Sequence, residues 1–176
     1  MPRRFRFPVK RSPKSDPQQY RMYRMENEAI GARMYAKLTR GTVGVLVRSV
    51  CRSYGVPTPR LVWKDLGAWA AQWVQIPGER RSTIELNTRK STSKDIITIT
   101  HELAHNLHFW LSGSTNEGHE AHGPEFMACH MSILDTCRMI PVAAMKVICD
   151  EWDVKYLDPG KEQSGQRLQK LITRKR

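Results

Sequence analysis

The residues best equipped for chemistry are His101, Glu102 and His105, set as His-Glu-Leu-Ala-His. On a helix, positions i and i+4 lie on one face about one turn apart, so both imidazoles can share one tetrahedral metal. Glu102 is rotated from His101 by about 100°, too far round to be a third ligand from that face. It can instead take a proton from a water held at the metal. Two ligands, a base beside the water and one open coordination position are what a zinc hydrolase needs. The expected metal is therefore Zn2+, with Glu102 as catalytic base.

Five residues can match by chance, so the flanking pattern matters. Thr92-Ser93-Lys94-Asp95 has the hydroxyls and early carboxylate of a helix start. Ile96, Ile99, Leu103, Leu107 and Trp110 then recur at helical spacing. This stripe falls opposite the two histidines, so a helix over about 94–112 would bury its apolar face and turn the histidines to a cleft. Gly113 fits as its terminator.

A third ligand must come from elsewhere. His108 shares the face of His101 but lies about 10 Å further along the axis, too far for one ion. It reads as a packed or supporting histidine. Beyond Gly113 the candidates are Glu117, His119, Glu120 and His122. His122 is best placed, because His122-Gly123-Pro124-Glu125-Phe126 has Pro and Glu in the first turn of a second helix. His119, in a Gly/Glu-rich stretch, is the runner-up.

At these residues the chain resembles the SprT-like, or Spartan-type, zinc metalloproteases. Gly118-His119-Glu120-Ala121-His122-Gly123-Pro124-Glu125-Phe126 is similar to the family's Gly-His-Gly-Pro-Glu-Phe segment, whose histidine is the third zinc ligand. An inserted Glu-Ala-His leaves two histidines in competition, and alignment on Gly-Pro-Glu-Phe gives the role to His122. Gly67–Trp73 and Ile84–Asn87 resemble the two strands before the family's active-site helix. The His105-Asn106 pair is also similar to the related WLM-type proteases. The resemblance spans roughly residues 20–155. It implies a zincin-like α+β domain and a zinc endopeptidase acting on proteins near or bound to DNA. The chain also departs from the family. Cys51, Cys129, Cys137 and Cys149 form no Cys-x-x-Cys pair, so the zinc ribbon of many SprT proteins has no counterpart. Nor does Spartan's recruitment tail.

Composition bounds the rest. The 176 residues suffice for one domain with a core, and 40% are hydrophobic. No apolar run approaches a membrane span or a signal peptide. Scattered cysteines point to reduced thiols in an intracellular setting, the cytoplasm, nucleoid or nucleus. The net charge of +12 is unevenly spread. Residues 1–14 carry six basic groups and no acid, and residues 15–94 fourteen against six. Residues 95–160 carry three against ten, and residues 161–176 six against one. A basic front half and basic tails suggest a nucleic-acid surface.

The elements that must position the site follow. Residues 1–15 read as a basic extended arm, 16–157 as the metalloprotease domain and 158–176 as a basic tail. Asp16-Pro17 opens a helix with Met22, Met25, Ile30, Met34 and Leu38 as its stripe. A second helix runs Thr42–Tyr54 and stops at Gly55. Arg24, Arg33, Lys37, Arg40, Arg48 and Arg52 would decorate the outside of this pair. Strands are expected at Arg60–Lys64, Trp69–Ile76 and Thr83–Asn87, with Pro77-Gly78 as a turn. Further helices fall at about 123–138 and 141–154. Leu168, Leu171 and Ile172 form a short amphipathic end.

Trp69 and Trp73 share a sheet face with Ala71 and read as core, as does Trp110 under the active-site helix. Resemblance assigns the Thr83–Asn87 strand to main-chain pairing with an extended substrate. Tyr156 and His108 are candidates for stabilising the oxyanion. Two rival readings stand beside the peptidase: a processing enzyme held in a nucleoprotein or virion assembly, and a structural protein with a vestigial zinc site.

Overall fold

A computed structural model describes residues 18–31, 34, 36–112 and 121–159. The architecture is α+β: five α-helices and a three-stranded mixed sheet among these residues. Both basic tails, the Asp16-Pro17 start, Gly113 and His119 lie outside the described residues.

The first helix, α1 (Gln19–Met25), continues into a π-helical stretch at Glu26–Ile30. Met22, Met25 and Ile30 are fully buried, as their spacing predicts. The wider turn closes with Gly31 N–H donating to Glu26 C=O at 2.7 Å. A Cβ at Gly31 would lie 3.0 Å from that carbonyl oxygen and 3.1 Å from that of Asn27, so glycine suits the exit. Met34 N–H still bonds Ile30 C=O at 3.0 Å, but the helix does not reach Leu38 as the stripe predicts. Instead Leu38 N–H bonds Lys94 C=O at 2.9 Å and Ile96 N–H bonds Ala36 C=O at 3.1 Å. Main-chain pairing with the approach to the active-site helix displaces the helical continuation.

Helix α2 (Arg40–Tyr54) starts two residues earlier than predicted. Thr39 and Thr42 exchange reciprocal side-chain and backbone bonds there, satisfying amides the helix leaves open. It stops at Gly55, whose φ of 64° closes the end. Val43, Val47, Val50 and Cys51 face the core.

Strands β1 (Arg60–Lys64) and β3 (Thr83–Asn87) have the predicted bounds, while β2 is shorter, Ala71–Val74. The order is β1-β3-β2, with β1 parallel and β2 antiparallel to β3. This corrects the substrate assignment: Thr83–Asn87 is the central strand, paired on both sides, and has no edge to offer. Trp69 also differs from expectation. It lies before β2, 42% exposed, rather than on a core face.

Helix α3 (Ile96–Ser112) packs against α4 (Pro124–Thr136), β2 and α2. It follows a 3₁₀ turn at Ser91–Lys94. The Ser93 hydroxyl donates to the carbonyls of Asn87 (2.8 Å) and Lys90 (2.7 Å), tying the turn to the end of β3. Ile99, Leu103 and Leu107 are buried, and Ile96 and Trp110 partly so. Helix α5 (Val142–Glu151) packs on α4 and buries Met145, Ile148 and Cys149. No helix among the described residues is long and apolar enough to cross a membrane.

Candidate metal centre

Helix α3 presents His101 and His105 on one face, and His122 arrives one residue before the N-cap of α4. The ligand-capable nitrogens of the three lie within 4.8 Å of one another. His101 Nε2 and His122 Nε2 are 3.3 Å apart. Two bonds of about 2.0–2.1 Å at a tetrahedral angle would separate their nitrogens by about 3.3–3.4 Å. His101 and His122 are buried and His105 is half-buried. Burial, then the neighbouring histidines, hold the His105 imidazole well below its ordinary range. Burial also lowers His101, against the opposing pull of Glu26. Both rings are therefore suited to the neutral form that ligates metal. Three convergent imidazoles fit a Zn2+ ion with one coordination position left open.

Phe126 floors the site. Its ring centroid lies 5.1 Å from that of His101, 4.5 Å from His105 and 5.0 Å from His122. Trp73 stacks on His105 at 6.2 Å, and Tyr23 lies 5.4 Å from both His101 and His122. Above the floor opens a cleft of about 430 Å³. Trp69, Ala71, Gln72 and Trp73 form one wall, and Glu102, His108 and Phe109 line the helix side.

Glu102 is buried, and its carboxyl is pushed up to about 8. Burial is the main cause, the negative charge of Glu26 adds to it, and a main-chain hydrogen bond at Trp73 opposes it. That bond reveals the orientation of β2. Asn87 N–H bonds Ala70 C=O across the β2–β3 pair. Alternation along an antiparallel strand then turns the peptide groups of Ala71 and Trp73 away from β3, toward the cleft.

Three site residues lie where the sequence reading placed no function, all near the first helix. Gln18, buried, donates through its side-chain amide to His122 C=O and to Lys155 C=O (3.2 Å), and accepts from Lys155 N–H at 2.9 Å. Tyr23 packs on two of the candidate ligands, His101 and His122. Glu26, buried, accepts from His101 Nδ1–H at 2.9 and 3.1 Å through its two oxygens. Burial pushes the Glu26 carboxyl up, but the charges and hydrogen bonds of His101 and His130 outweigh it and hold the group well below the carboxylate range. A signal existed: Glu26 sits four residues from both Met22 and Ile30, on the apolar stripe. A carboxylate on a buried face needs a buried partner.

Asn106, next to His105, is fully buried and joins three elements. Its Oδ1 accepts from the Ser82 hydroxyl (2.5 Å) and the Trp73 indole N–H (3.4 Å), while its Nδ2 donates to Pro57 C=O (3.3 Å). Of the oxyanion candidates, His108 lines the cleft, whereas Tyr156 lies beside Asp150 and does not. Against protein-family models, curated proteins and solved structures, the chain shows no match.

Proposed function

We propose that the protein is a zinc-dependent endopeptidase of the SprT-like, zincin type that cleaves proteins near or bound to DNA. The observation that carries this reading is the convergence of His101, His105 and His122 beside the buried carboxyl of Glu102, in a cleft bordered by the edge of β2. Zn2+ held by the three imidazoles would supply Lewis acidity, polarising a scissile carbonyl and making water a better nucleophile at neutral pH.

The remaining chemistry belongs to the chain. Glu102 takes the proton of the attacking water and delivers it to the leaving amine. The Trp73 main chain steadies that carboxyl. The outward peptide groups of β2 hold an extended substrate by strand addition, the role that buried β3 cannot fill. Such pairing reads backbone rather than side chains, which suits broad protein substrates. Phe126 packs beneath the three imidazoles, and Trp73 packs beside His105 on the wall of the cleft.

Nucleic acid as a partner rests on charge. Arg48, Arg52, Arg80, Arg81, Arg89 and Lys90 are exposed on the front half, and the sequence adds two basic tails. The deciding experiment incubates purified, zinc-loaded protein with a DNA-bound protein substrate, with and without DNA and chelator. Chelator-sensitive cleavage that DNA stimulates is expected. Absence of cleavage of that substrate, of casein and of the protein itself would instead support a structural protein with a vestigial site.

A further inference from the structure

Glu26 does more than balance one histidine. Its Oε1 is 2.9 Å from His101 Nδ1 and 3.2 Å from His130 Nδ1, the latter off the line of a good hydrogen bond. His130 is fully buried on α4, and its Nε2 lies 3.2 Å from Thr100 Oγ1 on α3. The contacts run Thr100, His130, Glu26, His101 and end at the His101 Nε2 that faces His122. Three elements contribute: α3, α4 and the π-helical turn after α1.

An ionised Glu26 carboxylate only accepts, so the His101 nitrogen that faces it carries the hydrogen. The Thr100 hydroxyl gives its one hydrogen to Ile97 C=O at 3.0 Å and lies 3.2 Å from His130 Nε2, while His101 Nδ1–H donates to an acceptor-only carboxylate. His101 then keeps its lone pair on Nε2, the nitrogen aimed at the other ligands. Without the carboxylate, nothing in this chain of contacts holds His101 in that tautomer or fixes its ring angle. The same carboxylate places a negative charge behind the cation, which raises ligand basicity.

We propose that Glu26 is the positioning residue of the metal centre, locking His101 in its Nε2-presenting tautomer, with His130 of α4 packed beside the carboxylate. The proposal rests on the metal-binding part of the proposed function and does not depend on what the enzyme cleaves.

The test measures zinc affinity by chelator competition on the full chain, together with the imidazole nitrogen resonances of His101 in the zinc-loaded protein. Wild type should bind zinc with a single Nδ1–H tautomer at His101. Glu26→Ala should bind about 10–100-fold more weakly and show mixed or exchange-broadened His101 signals. Glu28→Gln, on the exposed side of the same turn, should match wild type in both. If Glu26→Ala fails to fold, Glu26→Gln carries the test. It keeps one acceptor oxygen and should fold, with affinity reduced by about tenfold, the low end of the range. Equal affinity and an unchanged His101 signature in a folded Glu26 variant would overturn the positioning role while leaving the zinc site standing. Failure of wild type to bind zinc would overturn the metal reading itself.

Discussion

Gln18 and His122 are held to each other although 104 residues separate them: the Gln18 amide donates to the carbonyl of the third candidate ligand. The same amide group exchanges two bonds with the main chain of Lys155. One side chain thus fixes the backbone that delivers His122 and ties it to the C-terminal segment.

Replacing Gln18 by Leu strands the carbonyls of His122 and Lys155 and the Lys155 N–H. The expected loss is about 1–3 kcal/mol of stability in the metal-free protein, the cost of unsatisfied buried groups. Zinc affinity should fall as well, since the ligand backbone loses its anchor. Urea unfolding and metal titration check both. A variant as stable as wild type would show that water replaces the amide.

Glu102→Gln should keep zinc and fold but lose cleavage by about 10²–10⁴-fold, because an amide cannot accept the water's proton. In chelated protein the same variant should be the more stable one at alkaline pH. The folded Glu102 carboxyl titrates near 8, against an ordinary value of 4.5. Between those values the native state holds the proton that the unfolded chain releases. Wild-type stability therefore falls as pH rises through this window, at up to roughly 1.4 kcal/mol per unit from this group. Melting temperatures of the two proteins should converge near pH 4 and separate in the variant's favour by pH 9. Parallel curves would exclude a buried, proton-holding Glu102.

If β2 pairs with substrate, cleavage should respond to single N-methylation of a peptide in an alternating pattern. Nitrogens facing β2 lose a donor and gain a clash, raising KM by about fivefold or more for one missing bond of about 1 kcal/mol. Nitrogens facing away should tolerate the methyl group. A response that is uniform along the peptide, or absent, argues against strand addition.

Deleting residues 1–14 and 161–176 removes most of the net positive charge. For every phosphate that the shortened protein no longer neutralises, the log–log salt slope of duplex DNA binding should become shallower by about 0.9. Binding by fluorescence anisotropy across salt concentrations reads this directly. An identical slope in the truncated protein would confine DNA binding to the folded domain.

What the sequence made legible was local. His101 and His105 follow from helical spacing, and β1 and β3 have the residue bounds that alternation and turn residues mark. His122 clusters with His101 and His105, and its place before Gly-Pro-Glu-Phe made it a candidate for that group. The misses were matters of pairing between distant segments. Alternation within Thr83–Asn87 says nothing about whether that strand lies at an edge or in the centre. The end of the first helix was misjudged because the alternative partner of residues 36–38, the main chain of 94–96, is remote in sequence. Glu26 and Gln18 were hidden for a related reason: their partners are 75 and 104 residues away. Only the awkwardness of polar side chains on a stripe of methionines hinted at them.

The reach of Gln18 has a consequence for biosynthesis. Its partners include Lys155, so the full set of Gln18 contacts cannot close until that residue has left the ribosome. The first helix emerges early but waits for almost all of the folded chain before its contacts are complete. Long-range closure of this kind forms late and slowly. A centre assembled in that order stays unfinished while the chain is still being translated.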